Sequence, residues 1–226
     1  MLLEQFLMLC GSFAKELEDE MNANQLITEI AEEVPRMDKN GRLAKAQNKI
    51  NELKQRGLPD EFSISIDTRM RGTNFVAEEC KIMDSKKLPL LLSIKNMQAG
   101  AKNIKIIFKT GDDLRQDLLT IQLIRIMDKI WLDNGLDLRM KPYRVQSTAD
   151  QVGMIELVPD SENTSDIHQK YGGGAIGALD KRSMMKFLET WNKDRESMEN
   201  AKENFIRSTA GYAVATYILG NHYLSR

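Results

Sequence analysis

Cysteine is scarce in this chain of 226 residues, and Cys10 and Cys80 stand far apart without C-x-x-C or metal-ligand spacing. A disulfide framework and a zinc site are thereby unsupported, and both residues read as reduced cytosolic thiols. Excess positive charge is also lacking. The 32 Lys and Arg against 33 Asp and Glu leave a formal net charge of -1, so no global basic field recruits nucleic acid, and an anionic partner must be met by local cations. No apolar run approaches the roughly twenty residues of a membrane helix. Ala210 to Gly220, interrupted by Tyr212, Thr216 and Tyr217, reads as a buried helix. The apolar start, Met1 to Cys10, carries Glu4 where a signal peptide has basic residues, and no fixed-period repeat is present. What remains is a composition of 42% hydrophobic and 29% charged residues, that of a soluble globular protein with a core in one large domain or two lobes.

Along the chain, Leu2, Leu3, Phe6, Leu7, Leu9, Phe13, Leu17, Leu26, Ile27 and Ile30 recur at helical spacing and predict two amphipathic helices. Pro35 and the Met37 to Gly41 run break the pattern before a polar helix from Arg42 to Arg56. Short β-rich pieces follow at Phe62 to Ile66, Asn74 to Met83, Pro89 to Ile94 and Ile104 to Lys109. A helix opens with Asp113 and Gln116 at capping-box spacing and ends near Gly135. Two further strands are expected at Tyr143 to Ser147 and Gly153 to Val158, then helices at Ile167 to Tyr171, Arg182 to Lys193 and Glu196 to Leu219. About six strands interrupted by one helix and flanked by helices indicate an α+β fold with a largely antiparallel sheet and a helical lobe behind it. A cleft between two such lobes is a natural small-molecule site.

The most informative stretch is Ile-Ile-Phe-Lys-Thr-Gly-Asp-Asp-Leu-Arg-Gln-Asp, Ile106 to Asp117. An apolar strand ends on Lys109, the chain turns at Gly111, and a helix starts with Asp117 in its first turn. A strand-end lysine pinned by a nearby carboxylate presents its ammonium to phosphate oxygens. The bland reading is an exposed lysine with no ligand, beside aspartates that cap a helix. Asp112 and Asp113 are assigned to capping and the helix dipole, and Asp117 to the lysine.

With Phe108 to Asp117, five further pieces resemble the phosphoinositide 3-kinase catalytic domain in order and spacing. They are Cys80 to Leu90, Ile126 to Trp131, Lys141 to Tyr143, Gly153 to Val158 and Ala210 to Gly220. The resemblance runs from the first residues to Gly220 and is most like class I. It implies a two-lobed protein-kinase-like fold with an antiparallel N-lobe sheet. Residues 1 to 57 would be a helical lead-in, 58 to 158 the N-lobe, and 159 to 226 a partial helical C-lobe. It also implies ATP-dependent phosphorylation of the inositol 3-hydroxyl of a phosphatidylinositol lipid at a membrane surface.

Carried over residue by residue, Lys109 matches the lysine that contacts ATP phosphates, and Asp117 the carboxylate of the same pocket. Met83 to Lys87 matches the phosphate-binding loop, with Ser85 and Lys87 as donors, and Tyr143 the inner-pocket tyrosine. Glu156 and Val158 match hinge positions whose backbone bonds adenine, with Ile107 and Ile155 as apolar walls. The Met154 to Val158 strand could supply the apolar slot and backbone edge that a purine needs. Cytoplasmic location, plasma-membrane recruitment and a possible regulatory subunit are implied for the full-length parent, with no nucleic acid and no transmembrane segment.

In the family the chain continues past Leu219-Gly220 into an Asp-Arg-His catalytic loop with an asparagine and then an Asp-Phe-Gly metal site. Residues 221 to 226 carry neither, and His222 has no Asp-Arg before it. Mg²⁺ would lack its ligands and the substrate hydroxyl its base, so the resemblance implies an inactive fragment of a lipid kinase. The alternatives are a catalytically silent binding or regulatory module and an incomplete gene model. An apolar helix from Phe205 to Leu219 would then expose surface.

Gly172-Gly-Gly-Ala-Ile-Gly177 fits G-x-G-x-x-G, yet no strand and no acidic ribose partner frame it, and a connector fits better. His168 reads as a lone surface residue. Met8, Met127, Met154, Met184 and Met185 read as core fillers, with Met83 and Met154 as possible linings of the adenine slot.

Overall fold

The computed structural model describes residues 2–172 and 182–220. The Gly173 to Gly177 part of the glycine motif and His222 lie outside the described residues. The chain divides into two compact units, Met1–Leu119 with Tyr143–Leu157, and Thr120–Pro142 with Val158–Arg226.

The first unit holds helices α1 (Leu2–Leu9), α2 (Ala14–Glu33) and α3 (Arg42–Asn51). Its strands are β1 (Phe62–Ile64), β2 (Asp67–Phe75), β3 (Lys81–Ile82), β4 (Leu90–Asn96), β5 (Ile104–Thr110), β6 (Val145–Ala149) and β7 (Val152–Glu156). Helix α4 (Arg115–Asp133) begins in it. The sheet order is β1-β2-β4-β5-β7-β6, with β3 also on β4, and every pairing is antiparallel. Arg144, just before β6, holds Asp67 of β2 at 3.0 Å although these strands lie near opposite ends of that order. The sheet is therefore curled, as the α+β expectation of a kinase N-lobe requires.

Helix α2 buries Ala23, Leu26, Ile27, Ile30 and Ala31, the one-sided spacing of an amphipathic helix. That stripe joins Phe62, Phe75, Leu92, Ile94 and Phe108 in the core. Beside it Glu16, Glu20 and Asn24 recur every fourth residue. Ser63 Oγ donates to Glu16, Ser65 Oγ donates to Glu20, and Asn24 donates to Ser65. These bonds fix the register of α2 on β1 while the apolar stripe supplies the burial. A void of about 20 Å³ remains among the core side chains, lined partly by Ala23, Ile27 and Phe108.

Among the described residues seven strands replace the six expected. The single strand expected from Asn74 to Met83 is instead the end of β2, a 3-10 turn at Ala77–Glu79 and the short β3. Strand β2 starts at Asp67 because β1 supplies a ladder partner for a polar stretch. Gly72 shows how close that approach is, since a Cβ there would lie 2.4 Å from Ile94 Cγ2 and 3.1 Å from Phe62. Gly72→Ala is expected to cost about 1–3 kcal/mol by overpacking, read as a lower urea midpoint; an unchanged midpoint would contradict this packing.

Asp67 carries the clearest pH signature of this unit. Bidentate hydrogen bonding from Arg69, with Arg144 adding its charge against the opposing effect of burial, lowers its pKa to about 2 from 3.8. A depressed carboxylate contributes stability above its unfolded pKa, and this is lost as pH falls through about 2. The stability difference between the wild type and Asp67→Asn should therefore be full at pH 5 and shrink progressively below about pH 4. A difference that does not vary with pH would contradict the assignment.

In the second unit, α5 (Thr164–Tyr171), α6 (Ser183–Trp191) and α7 (Arg195–Leu219) follow one another. Asp194 caps α7 by accepting from the Ser197 N–H at 2.8 Å, and Gly220 ends it in the left-handed region at φ 59°. His168 is not the lone surface residue expected. It is half-buried, with Nδ1 2.6 Å from Oγ of the fully buried Ser183, tying α5 to α6. Arg207 donates to the Asp137 carbonyl at 3.1 Å, and Gly211 lets Met140 pack against α7.

Two further expectations are corrected. Met8 is 80% exposed and Met185 40% exposed, so neither fills the core. The Ala210 to Gly220 stretch buries only Gly211 and Ala215, while Tyr217 and Ile218 face outward. Among the described residues, no helix is long and apolar enough to cross a membrane.

Candidate nucleotide-phosphate site

Alternation along β5 sorts its side chains to two faces. Ile106 and Phe108 point to the α2 side and are buried, whereas Ile107 and Lys109 point the other way and are half-buried. Cross-strand register extends the second face: Ile107 stands opposite Leu91 on β4 and Ile155 on β7, and Lys109 stands opposite Gly153. Ile107 and Ile155 thus form one apolar surface with Lys109 at its end. Met154 pairs with Phe108 and is 2% exposed on the core side. It does not line the face that bears Ile107, because a one-residue step reverses the side.

Gly153 leaves room that a side chain would take. A Cβ there would sit 2.4 Å from the Gln146 carbonyl oxygen and 2.8 Å from Leu114 Cδ1. Leu114, 2% exposed, therefore tucks onto the sheet beside Lys109 and anchors the start of α4. Between them the chain turns at Gly111 with φ 79°, a conformation that favours glycine, and the Gly111 N–H donates to the Gln151 carbonyl at 2.7 Å.

The charges at this turn differ from expectation. Lys109 Nζ lies 3.5 Å from Asp112 Oδ2, three residues on. The sequence assigns Asp117 to the lysine, but the tight turn returns Asp112 to it, while Asp117 stands in the first turn of α4. The Asp117 carboxylate instead acts on Tyr143, whose phenol is pushed above its usual pKa first by burial and then by that charge. Asp113 is held by Arg115, whose guanidinium and backbone N–H both donate to it, and these bonds lower its pKa to about 2. Asp113 thus caps α4 in the structural role expected of it.

Met83 to Lys87 form the bend between β3 and β4. The Met83 N–H donates to the Pro89 carbonyl at 2.8 Å, Ser85 to Met83 at 3.0 Å and Leu88 to Ser85 at 3.1 Å, with Leu88 at φ 50° closing the turn. Lys87 Nζ reaches to 3.3 Å from where a Cβ on Gly111 would be. The loop and the lysine turn are therefore brought together. A depression of about 540 Å³ adjoins them, lined in part by Arg36, Lys86, Lys87, Thr110 and Gly111. Ile107, Lys109 and Ile155 do not line it; it opens on the α2 side of the loop.

At the end of β7, Glu156 is tied on both sides: its N–H donates to the Arg144 carbonyl and its carboxylate accepts from the Arg144 N–H, each at 2.9 Å. The chain leaves the ladder after Leu157, and the Val158 carbonyl accepts from Ser161 Oγ at 2.7 Å. Among the described residues no three His, Cys, Asp or Glu side chains gather as a metal cage requires.

Of the residues named from the sequence, Lys87 reaches the Gly111 turn that follows Lys109. Sequence reasoning missed Asp112 as the partner of Lys109, although an aspartate three residues beyond a lysine across a glycine was a legible signal. It also missed Leu114 as the residue that packs against Gly153.

Residues 103–222 match the family model described as phosphatidylinositol 3- and 4-kinase. The chain is 41% identical over 220 residues to phosphatidylinositol 3-kinase 1 of Dictyostelium discoideum, covering 97% of the chain and 14% of that relative. It is 38% identical over 221 residues to phosphatidylinositol 3-kinase 2 of the same organism, covering 97% and 12%. To the human phosphatidylinositol 4-phosphate 3-kinase C2 domain-containing subunit beta it is 36% identical over 224 residues, covering 97% and 13%. The chain thus spans a small part of each relative's length.

Proposed function

Because this chain belongs to the phosphatidylinositol 3- and 4-kinase family, we propose that it is the nucleotide-binding part of an ATP-dependent phosphoinositide 3-kinase. The parent activity is phosphorylation of the inositol 3-hydroxyl of phosphatidylinositol lipids. The observation that carries the reading is the placement of Lys109 beside the Gly111 turn, at the end of a sheet face built by Ile107 and Ile155.

Phosphoryl transfer asks a protein mainly for positioning and neutralisation of charge. In this reading Lys109 holds the ATP phosphates from the strand end. Lys87 and the Ser85 hydroxyl cover them from the loop. Ile107 and Ile155 wall the purine, and the backbone of Glu156 and Val158 bonds its edge. Asp117 and Tyr143 line the inner pocket, and burial of Tyr143 keeps its phenol protonated as a donor.

Mg²⁺ supplies phosphate neutralisation in such chemistry. Among the described residues no cluster of carboxylate, histidine or cysteine ligands fits it. A polypeptide of residues 1–226 contains no Asp-Arg-His or Asp-Phe-Gly triplet, and is expected to bind ATP without turning it over. The class I likeness rests on the sequence motifs. A regulatory subunit and recruitment from the cytoplasm to the plasma membrane belong to the same proposal for the full-length parent.

The test is calorimetric titration of the 226-residue chain with ATP and with adenosine, each with and without Mg²⁺. Weak ATP binding that is tighter than adenosine binding and largely independent of metal supports the reading. Equal affinity for ATP and adenosine would overturn the phosphate assignment, and tight Mg²⁺-ATP binding with lipid phosphorylation would overturn the expectation of no turnover.

A further inference from the structure

We propose that Asp112 is the ligand-free counter-ion of Lys109 and surrenders the lysine to the polyphosphate of an incoming nucleotide, thereby setting how strongly the site prefers anionic over neutral nucleosides. This rests on the assignment of Lys109 to nucleotide phosphate. Three observations carry it.

Lys109 Nζ and Asp112 Oδ2 are 3.5 Å apart with side chains 28% and 35% exposed, so the pair is close enough to attract and wet enough to exchange. The positive φ of Gly111 folds Asp112 back onto the strand end. The neighbouring aspartate is not equivalent, because Arg115 holds Asp113 in a forked contact with distances from 2.6 to 3.0 Å. Of the two adjacent carboxylates, Asp113 is therefore committed to its own guanidinium, and Asp112 is the one facing the lysine.

The consequence follows from charge. Phosphate oxygens approaching Lys109 must displace a carboxylate and then lie beside its negative charge, whereas a nucleoside without phosphates disturbs neither. A ligand shifts such an arrangement only by what it gains differentially. Asp112 should accordingly weaken the binding of ATP, leave adenosine untouched, and prevent Lys109 from standing as a bare cation in the empty site. It acts through Lys109 and is a positioning residue.

The experiment compares the wild-type chain with Asp112→Asn, Asp113→Asn and Lys109→Met, each titrated with ATP and adenosine in the absence of divalent metal. Asparagine at 113 can still accept from the helix N–H, so that variant controls for removal of a nearby negative charge with no contact to the lysine. The expected result for Asp112→Asn is ATP binding about threefold to tenfold tighter, adenosine binding unchanged, and a gain that shrinks at high salt as screening demands. Asp113→Asn should bind both ligands as the wild type does. If Lys109→Met weakens ATP binding while Asp112→Asn leaves it unchanged or weaker, the counter-ion role is overturned and the nucleotide assignment stands. If Lys109→Met has no effect on ATP, both fall together.

Discussion

Replacing Lys109 by methionine is expected to weaken ATP binding by about 10-fold to 150-fold, the span that loss of charge-assisted hydrogen bonds of about 1.5–3 kcal/mol gives. Adenosine binding should stay within about twofold. The size of the effect follows from the position of the residue. Lys109 ends a strand whose neighbours fix it on two sides, through Gly153 on β7 and Leu114 at the start of α4. The ammonium is thereby pre-positioned, and little ordering is left for binding to oppose. Methionine keeps the length and apolar stem of lysine and removes the charge, so β5 should retain its packing. Asp112, left without its partner, is 35% exposed and can be solvated. Calorimetry reads the affinity and thermal melting verifies the fold. A Lys109→Met chain that melts as the wild type does and binds ATP equally well would remove the phosphate assignment.

The second large effect is expected on stability. Phe108 is 1% exposed and occupies the core directly behind the site, between the α2 stripe and the sheet. Phe108→Ala should cost about 3–5 kcal/mol, the transfer of an aromatic ring plus the cavity it leaves. Against a typical total of about 5–15 kcal/mol this is a large fraction, and the variant should show a strongly lowered urea midpoint or fail to fold. A milder substitution, Phe108→Leu, keeps the measurement readable if alanine abolishes folding, and its loss should be a fraction of the alanine value. Because Phe108 and Lys109 are consecutive on one strand, loosening the first is expected to weaken nucleotide binding through the second. A loss below about 1 kcal/mol for Phe108→Ala would contradict the burial on which β5 depends.

The site strand was legible because its two faces differ in kind. Ile106 and Phe108 alternate with Ile107 and Lys109, and Gly111 marks the turn into α4. The apolar period of α2 was equally plain. Strand β2 was not, because the stretch Asp67-Thr-Arg-Met-Arg-Gly-Thr-Asn74 is polar and becomes a strand through its ladder with β1, a tertiary effect that a local pattern does not carry.

The methionines misled for a related reason. Chemistry alone makes them gap fillers, and strand parity decides that Met154 faces the core and not the purine surface. At His168, the buried Ser183 partner lies fifteen residues away, beyond any local signal. The choice between Asp112 and Asp117 as the partner of Lys109 turned on the backbone bend at Gly111. Sequence placed both carboxylates near the lysine, and only the path of the chain distinguished them.

In the proposed site the Lys109 amine meets the phosphates of ATP. An acyl-phosphate derivative of ATP tests this directly, since an amine beside the phosphate chain attacks the acyl carbon, forms an amide and releases ATP. After brief exposure of the 226-residue chain and digestion, mass spectrometry should find the acyl group on Lys109 and should find it suppressed by excess ATP but not by excess adenosine monophosphate at the same concentration. Labelling that spares Lys109, or labelling there that excess ATP leaves unchanged, would contradict contact between this amine and the phosphates.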